Sequence, residues 1–199
     1  IACAGAAMSL PRTSTYSMTL AMTVLFAVAM GYFEGTIVVY LRELYYPEGF
    51  SFPLRPVPER IILIELAREA STLVMLTAVS VIAGKSRWER FGYFLIVFGI
   101  WDIFYYIWLR IVIGWPASIF DFDILFLMPV PWVGPVIAPS VVALVLTIAG
   151  IVITRFEFLV FRFRATKGSW VLASAATLAI LYSFMRDPDA GFGHAAPQP

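Results

Sequence analysis

Apolar residues fill five long runs of the chain, and most charged residues fall between them. The runs cover Met18 to Tyr40, Ile61 to Ala83, Phe91 to Ile113, Val136 to Thr154 and Ser169 to Met185, the last being the shortest. A helix rises ~1.5 Å per residue and so needs about 20 apolar residues to cross a hydrocarbon layer of ~30 Å. Lipid leaves every backbone N–H and C=O to be satisfied within the segment, and no run shows the sustained period of two that a membrane barrel strand requires. The expected fold is all-α, a polytopic membrane bundle of about five transmembrane helices over 18–185. It is preceded by an N-terminal segment 1–17 and followed by a flexible tail 186–199.

Two connections are unlike linkers. Tyr45 to Glu59 holds Pro47, Pro53, Pro56 and Pro58 with Phe50 and Phe52, a composition that favours semi-rigid extended backbone folded on the membrane surface. Trp115 to Pro135 is almost as apolar as a span but shorter. Its stretch Ile119 to Met128 is broken only by Asp121 and Asp123 and is followed by Pro129, Pro131 and Pro135, which reads as an interfacial or re-entrant segment before the fourth span. Trp115 and Trp132 would supply aromatic anchors at that interface.

Composition makes lipid the outer solvent. Of 199 residues 61% are hydrophobic and 14% charged, against roughly 45–50% and about 25% in soluble domains, and the mean hydropathy is +0.86. The net charge of +1 without a basic block excludes a nucleic-acid partner. One cysteine excludes an internal disulfide framework or a cysteine metal site, and a single histidine, His194, excludes paired haem ligands. No Walker loop, GxSxG, Cys–His pairing or helical zinc pair is present, so neither catalysis nor a metal is expected.

Loop charge orients the bundle. Eight basic residues (Arg12, Lys85, Arg87, Arg90, Arg155, Arg162, Arg164 and Lys167) lie on one side. Arg42, Arg55, Arg60, Arg110 and Arg186 lie on the other, in longer connections that also carry acids. The positive-inside rule puts the N-terminus in the cytoplasm and the C-terminus outside, in what reads as a bacterial inner membrane. The interleaved bases and aromatics of Arg155 to Arg164 suit a juxtamembrane helix on anionic headgroups. The chain opens on Ile1, Met8 offers another start, and no basic segment before the first run suggests a cleaved secretory signal.

Charge inside a span costs at least ~2.5–3.5 kcal/mol at the helix centre, so each instance calls for a partner. Glu34 lies in the first run, Glu65, Arg68 and Glu69 in the second, and Asp102 in the third. Helical spacing places Arg68 beside Glu65, and Thr72 continues the Glu65/Glu69 face. One base cannot neutralise four acids, which leaves protonated carboxyls, a partner subunit, or a proton or cation path. Alternatively the acids fix helix packing through hydrogen bonds.

Trp101, Phe104, Tyr105, Tyr106 and Trp108 form the densest aromatic cluster, read either as interhelix packing or as a wall for a flat ligand such as a quinone or pigment. Asp121 and Asp123, with Asp102 and Glu48 as neighbours, offer oxygen ligands to a hard cation, a reading outweighed by one as helix caps or membrane-surface acids pairing with Arg110 or Arg55. Gly31 and Gly35 form a GxxxG, and Ala173 to Thr177 are all small, both signals of close helix approach. Three functions remain open. The expected one is a non-catalytic accessory or scaffold subunit of a larger membrane complex such as a bioenergetic one, with lipids and other subunits as partners. The alternatives are a small proton- or cation-coupled transporter and a quinone or pigment binder.

Overall fold

The computed structural model describes residues 12–48, 58–127, 132–159 and 166–185, and of 12–14 and 183–185 only the backbone. Five helices follow one another: α1 (Arg12–Tyr45), α2 (Glu59–Ala83), α3 (Arg87–Ile113), α4 (Ile137–Phe158) and α5 (Lys167–Met185). Between α3 and α4 lies a hairpin of β1 (Phe122–Phe126) and β2 (Trp132–Pro135). Each helix from α1 to α4 is long and apolar enough to cross a membrane. The prolines and aromatics of 49–57, Pro129, Pro131, Arg162, Arg164, Arg186, His194 and the tail 186–199 lie outside the described residues.

The helices extend past the apolar runs because hydropathy marks only the part that lipid touches, while backbone bonding continues until a cap stops it. α3 begins early because Ser86 and Glu89 form a capping box, the Ser86 hydroxyl accepting from the Glu89 amide at 3.0 Å and the Glu89 carboxylate accepting from the Ser86 amide at 3.2 Å. It ends at Gly114, whose φ of 70° is a left-handed conformation that costs glycine little. The helices turn large apolar side chains outward, among them Leu25, Leu63, Val74, Ile82 at 84% exposure, and Ile111. That arrangement suits a lipid solvent.

With lipid outside, hydrophobicity gives neighbouring helices little reason to associate, so close backbone approach has to supply the contact. α3 packs on α4 through glycines. A Cβ on Gly99 would collide with the Ala143 carbonyl and the Thr147 hydroxyl, and one on Gly150 would meet the Gly92 carbonyl at 2.5 Å. On its other side α3 receives α1 at Gly31, where a Cβ would come within 2.9 Å of the Trp101 carbonyl. Gly35 continues this contact more loosely, its nearest neighbour being Trp108 Cβ at 3.8 Å. The hydroxyls of Thr147, Thr154 and Ser80 return to carbonyls of their own helices at 2.6–2.9 Å, so none is stranded in the bundle.

The apolar segment before α4 is a β-hairpin. Phe122 pairs with Pro135, Asp123 with Gly134, Ile124 with Val133 and Phe126 with Trp132, with an irregularity between Ile124 and Phe126. The hairpin folds into the bundle. At its base the Val136 amide bonds the Asp121 carbonyl at 3.0 Å, whereas Phe126 packs against the core of Ala27, Met30, Leu76, Val97 and Trp101. Beyond Phe126, the Leu127 amide meets Glu69, ten residues inside the start of α2 and therefore about 15 Å below that helix end. We call this end of the bundle, where α1 and α3 finish, the hairpin end.

α5 is a helix as the fifth run implied, 19 residues long. Trp170 near its start stacks on Trp88 at the far end of α3, with 6.1 Å between ring centroids, and the helix also contacts β2. It therefore runs alongside the height of α3. The small residues Ala173 to Thr177 were expected to mark a packed face, and they are exposed.

Candidate functional site

The acids of the first three helices meet near the hairpin end. Glu34 of α1 ion-pairs with Arg68 of α2, and Arg68 also bonds Glu65 through Nε at 2.7 Å, the pair that the helical spacing suggested. The Thr72 hydroxyl donates to Glu34 Oε2 at 3.1 Å. Glu34, Glu65, Glu69 and Thr72 are all buried, so the Glu65/Glu69/Thr72 face of α2 is the face turned to the bundle. Arg68 thus serves two carboxylates, one on its own helix and one across the α1–α2 contact.

Glu69 has a different partner. Both of its carboxylate oxygens accept from the Leu127 amide, each at 3.1 Å. Leu127 follows the last paired residue of β1, so its partly buried amide has no strand partner, and leaving such a group unsatisfied costs about 1–3 kcal/mol. Glu69 supplies a charged acceptor there and fixes the tip of the hairpin to α2.

A second ion pair holds the hairpin near its base. Arg42 Nη2 lies 3.2 Å from Asp123 Oδ1, and the Arg42 guanidinium stacks 3.7 Å from the ring centroid of Trp115. Asp123 was expected at the surface with Arg110 or Arg55, yet only 4% of its side chain is exposed. Arg110 instead donates to the carbonyls of Gly114 and Pro116, the latter at 2.9 Å. Asp121 stays local and does cap, accepting from the amides of Ala117 at 2.7 Å and Ser118 at 3.1 Å. Burial pushes the Asp123 carboxyl up from 3.8 to about 6, while Arg42, the Ile124 amide and the Tyr106 hydroxyl oppose the shift.

Asp102 and Tyr106, four apart on α3, lie on the Asp123 side of this region. Both lie within electrostatic reach of Asp123, and Tyr105 beside them is within reach of Arg42, Arg68, Asp102 and Asp123. Asp102 is partly buried and, among the described residues, makes no hydrogen bond. Five carboxyls, Glu34, Glu65, Glu69, Asp102 and Asp123, thus share one region with two guanidiniums, Arg42 and Arg68. Among the described residues, no three acids, cysteines or histidines are grouped so as to hold a metal ion.

The aromatic residues of α3 are spread around the helix. Trp101 is core, 5.4 Å from Phe98 between ring centroids, and its indole N–H has no partner among the described residues. Trp108 faces α1, donating to the Val28 carbonyl at 3.1 Å and meeting Tyr32 edge-on. Tyr106 is buried and packs toward Trp115 with 6.4 Å between centroids, while Phe104 and Tyr105 are partly buried.

Sequence reasoning missed Arg42 as a site residue and favoured a surface or capping role for Asp123 over a buried one. A signal was present in Phe120-Asp121-Phe122-Asp123-Ile124, where strict alternation favours a strand with one face polar. Comparison with protein-family models, with curated proteins and with solved structures finds no match to this chain.

Proposed function

We propose that this protein is a small proton- or cation-coupled membrane carrier, with its site at Glu34, Glu65, Arg68, Glu69 and Asp102. The observation that carries this reading is the hairpin folded into the bundle beside a surplus of carboxyls. Non-helical backbone at membrane depth is tolerated where protein buries it or where it lines a watered cavity, and in carriers such interruptions lie next to the coupling site. Transporters often show broken spans, and here the hairpin supplies the irregular element that the uninterrupted helices lack.

The acids divide among separate partners, Arg68, the Leu127 amide and Arg42, and do not converge on one point. The ion that suits such a set is the proton. Asp102 is the exchanging group in this scheme, because the other four carboxyls already hold a guanidinium or an amide. In the cell the hairpin end faces outward, following the loop charges, in a bacterial inner membrane.

The test is proton flux in vesicles reconstituted with the purified protein under an imposed pH gradient. Wild type conducts above protein-free vesicles and Asp102→Asn abolishes the excess; flux that is the same in both removes the reading. The accessory-subunit reading has one specific support, the exposed small residues Ala173 to Thr177 of α5, on which a partner helix could approach closely. Mild extraction that brings down a stoichiometric second membrane protein supports that reading, and a protein isolated alone counts against it.

A further inference from the structure

The end of the bundle away from the hairpin holds two helix starts of one pattern, Lys85-Ser86-Arg87-Trp88 at α3 and Lys167-Gly168-Ser169-Trp170 at α5. Each is capped by a hydroxyl, Ser86 accepting from the Glu89 amide at 3.0 Å and Thr166 from the Ser169 amide at 3.1 Å. The two tryptophans stack with 6.1 Å between ring centroids, which brings Lys85, Arg87 and Lys167 to one place, each within three residues of a stacked ring. All three bases are exposed, and among the described residues their side chains make no hydrogen bond or ion pair. The other described charges at this end are engaged. Arg90 donates to the Gly84 carbonyl at 3.1 Å and Arg155 stacks over the rings of Tyr16 and Phe158. Glu89 accepts from the amides of Lys85 and Ser86, and Glu157 accepts from the Ser86 hydroxyl. Past the indoles the surface turns apolar. Trp170, Val171 and Leu172 are each more than half exposed, and Phe91 of α3, edge-on to Trp88, is exposed as well.

We propose that this paired helix start binds the headgroup phosphate of an anionic phospholipid through Lys85, Arg87 and Lys167, with the acyl chains against Phe91, Val171 and Leu172. Charge complementarity selects the headgroup, since each base near an anionic lipid surface adds to the attraction. The indoles select a lipid over a soluble phosphate, because tryptophan settles where headgroups meet chains and the apolar surface continues directly below the bases. A zwitterionic headgroup brings its own ammonium to the same three cations and gains little. The site lies at the opposite end from the acids and stands whether or not Asp102 exchanges a proton.

The experiment titrates the purified full chain in detergent with phosphatidylglycerol or phosphatidylcholine and counts bound lipid by native mass spectrometry. Phosphatidylglycerol binds wild type about a hundred-fold more tightly than it binds the triple variant Lys85→Gln, Arg87→Gln, Lys167→Gln, and phosphatidylcholine does not distinguish the two proteins. Arg60→Gln, an exposed base at the hairpin end, leaves the affinity within about two-fold. Trp170→Ala keeps every charge but unpairs the helix starts, and weakens binding by about five-fold as Lys167 leaves the other two bases. A triple variant that binds phosphatidylglycerol within about two-fold of wild type overturns the site. Trp170→Ala at wild-type affinity shows three separate surface charges and overturns the shared site. Glycerol 3-phosphate that displaces the lipid at equal concentration makes the ligand a soluble phosphate ester and overturns the lipid.

Discussion

Replacing Arg68 with methionine keeps a long, flexible side chain in α2 and removes the charge that Glu34 and Glu65 share. Their side chains are 7% and 11% exposed, so water does not take over the role of the guanidinium. Removing one partner from a buried pair costs about 3–5 kcal/mol. A second route to the figure is protonation: neutralising a glutamate of ordinary pKa ~4.3 at pH 7 requires about 4 kcal/mol. Thr72 still donates to Glu34, which keeps the expected loss for Arg68→Met near the lower end, about 3–4 kcal/mol at pH 7. Adding Glu34→Gln and Glu65→Gln removes both uncompensated charges and recovers most of the stability at pH 7. Reversible unfolding in detergent micelles at pH 7 measures wild type, Arg68→Met and the triple variant. A loss under about 1 kcal/mol for Arg68→Met, the size found for solvent-exposed pairs, would refute the buried pairing.

The same assay tests four further residues. Gly99→Ala forces a methyl against the Ala143 carbonyl and Thr147 hydroxyl and costs about 1–3 kcal/mol, whereas Gly35→Ala, with its nearest neighbour at 3.8 Å, stays within about 0.5 kcal/mol; equal effects would contradict the α3–α4 geometry. Glu69→Leu strands the Leu127 amide and destabilises by about 1–3 kcal/mol, and limited proteolysis then cuts first within the hairpin; an unchanged digestion pattern counts against the tip anchor. Asp123 has a folded pKa raised above its unfolded value, so its contribution is fully present below about pH 4 and is lost as pH rises through about 6. That loss amounts to about 3 kcal/mol, and Asp123→Asn abolishes that part of the pH dependence; an identical stability–pH curve for the variant would show that Asp123 is not buried.

Helical crossings are legible in a sequence because lipid imposes a length and a composition on each one separately, and α1 to α4 were read from their own residues. The Arg68–Glu65 pair and the inward face of Glu65, Glu69 and Thr72 were legible for the same reason, since helical spacing alone fixes them. Gly31 was legible through GxxxG. Gly92, Gly99 and Gly150 were harder to see, because the contact they make lies between helices and no spacing within α3 names α4 as its partner. The hairpin was read as an apolar interfacial or re-entrant segment, and its alternation over Phe120 to Ile124 was hidden by the general apolarity of the stretch. Arg42 and Asp123 are 81 residues apart, and nothing local connects them. Burial of Asp123 follows from the hairpin turning inward, which is a property of the assembled bundle.

Infrared difference spectra of the reconstituted protein, recorded between acid and neutral pH, report the protonation of Asp102 directly. A proton carrier built on this cluster shows the carbonyl band of a protonated carboxyl that disappears on raising pH and is missing from Asp102→Asn. Spectra of wild type and Asp102→Asn that coincide across the whole pH range would contradict a proton-exchanging site at Asp102.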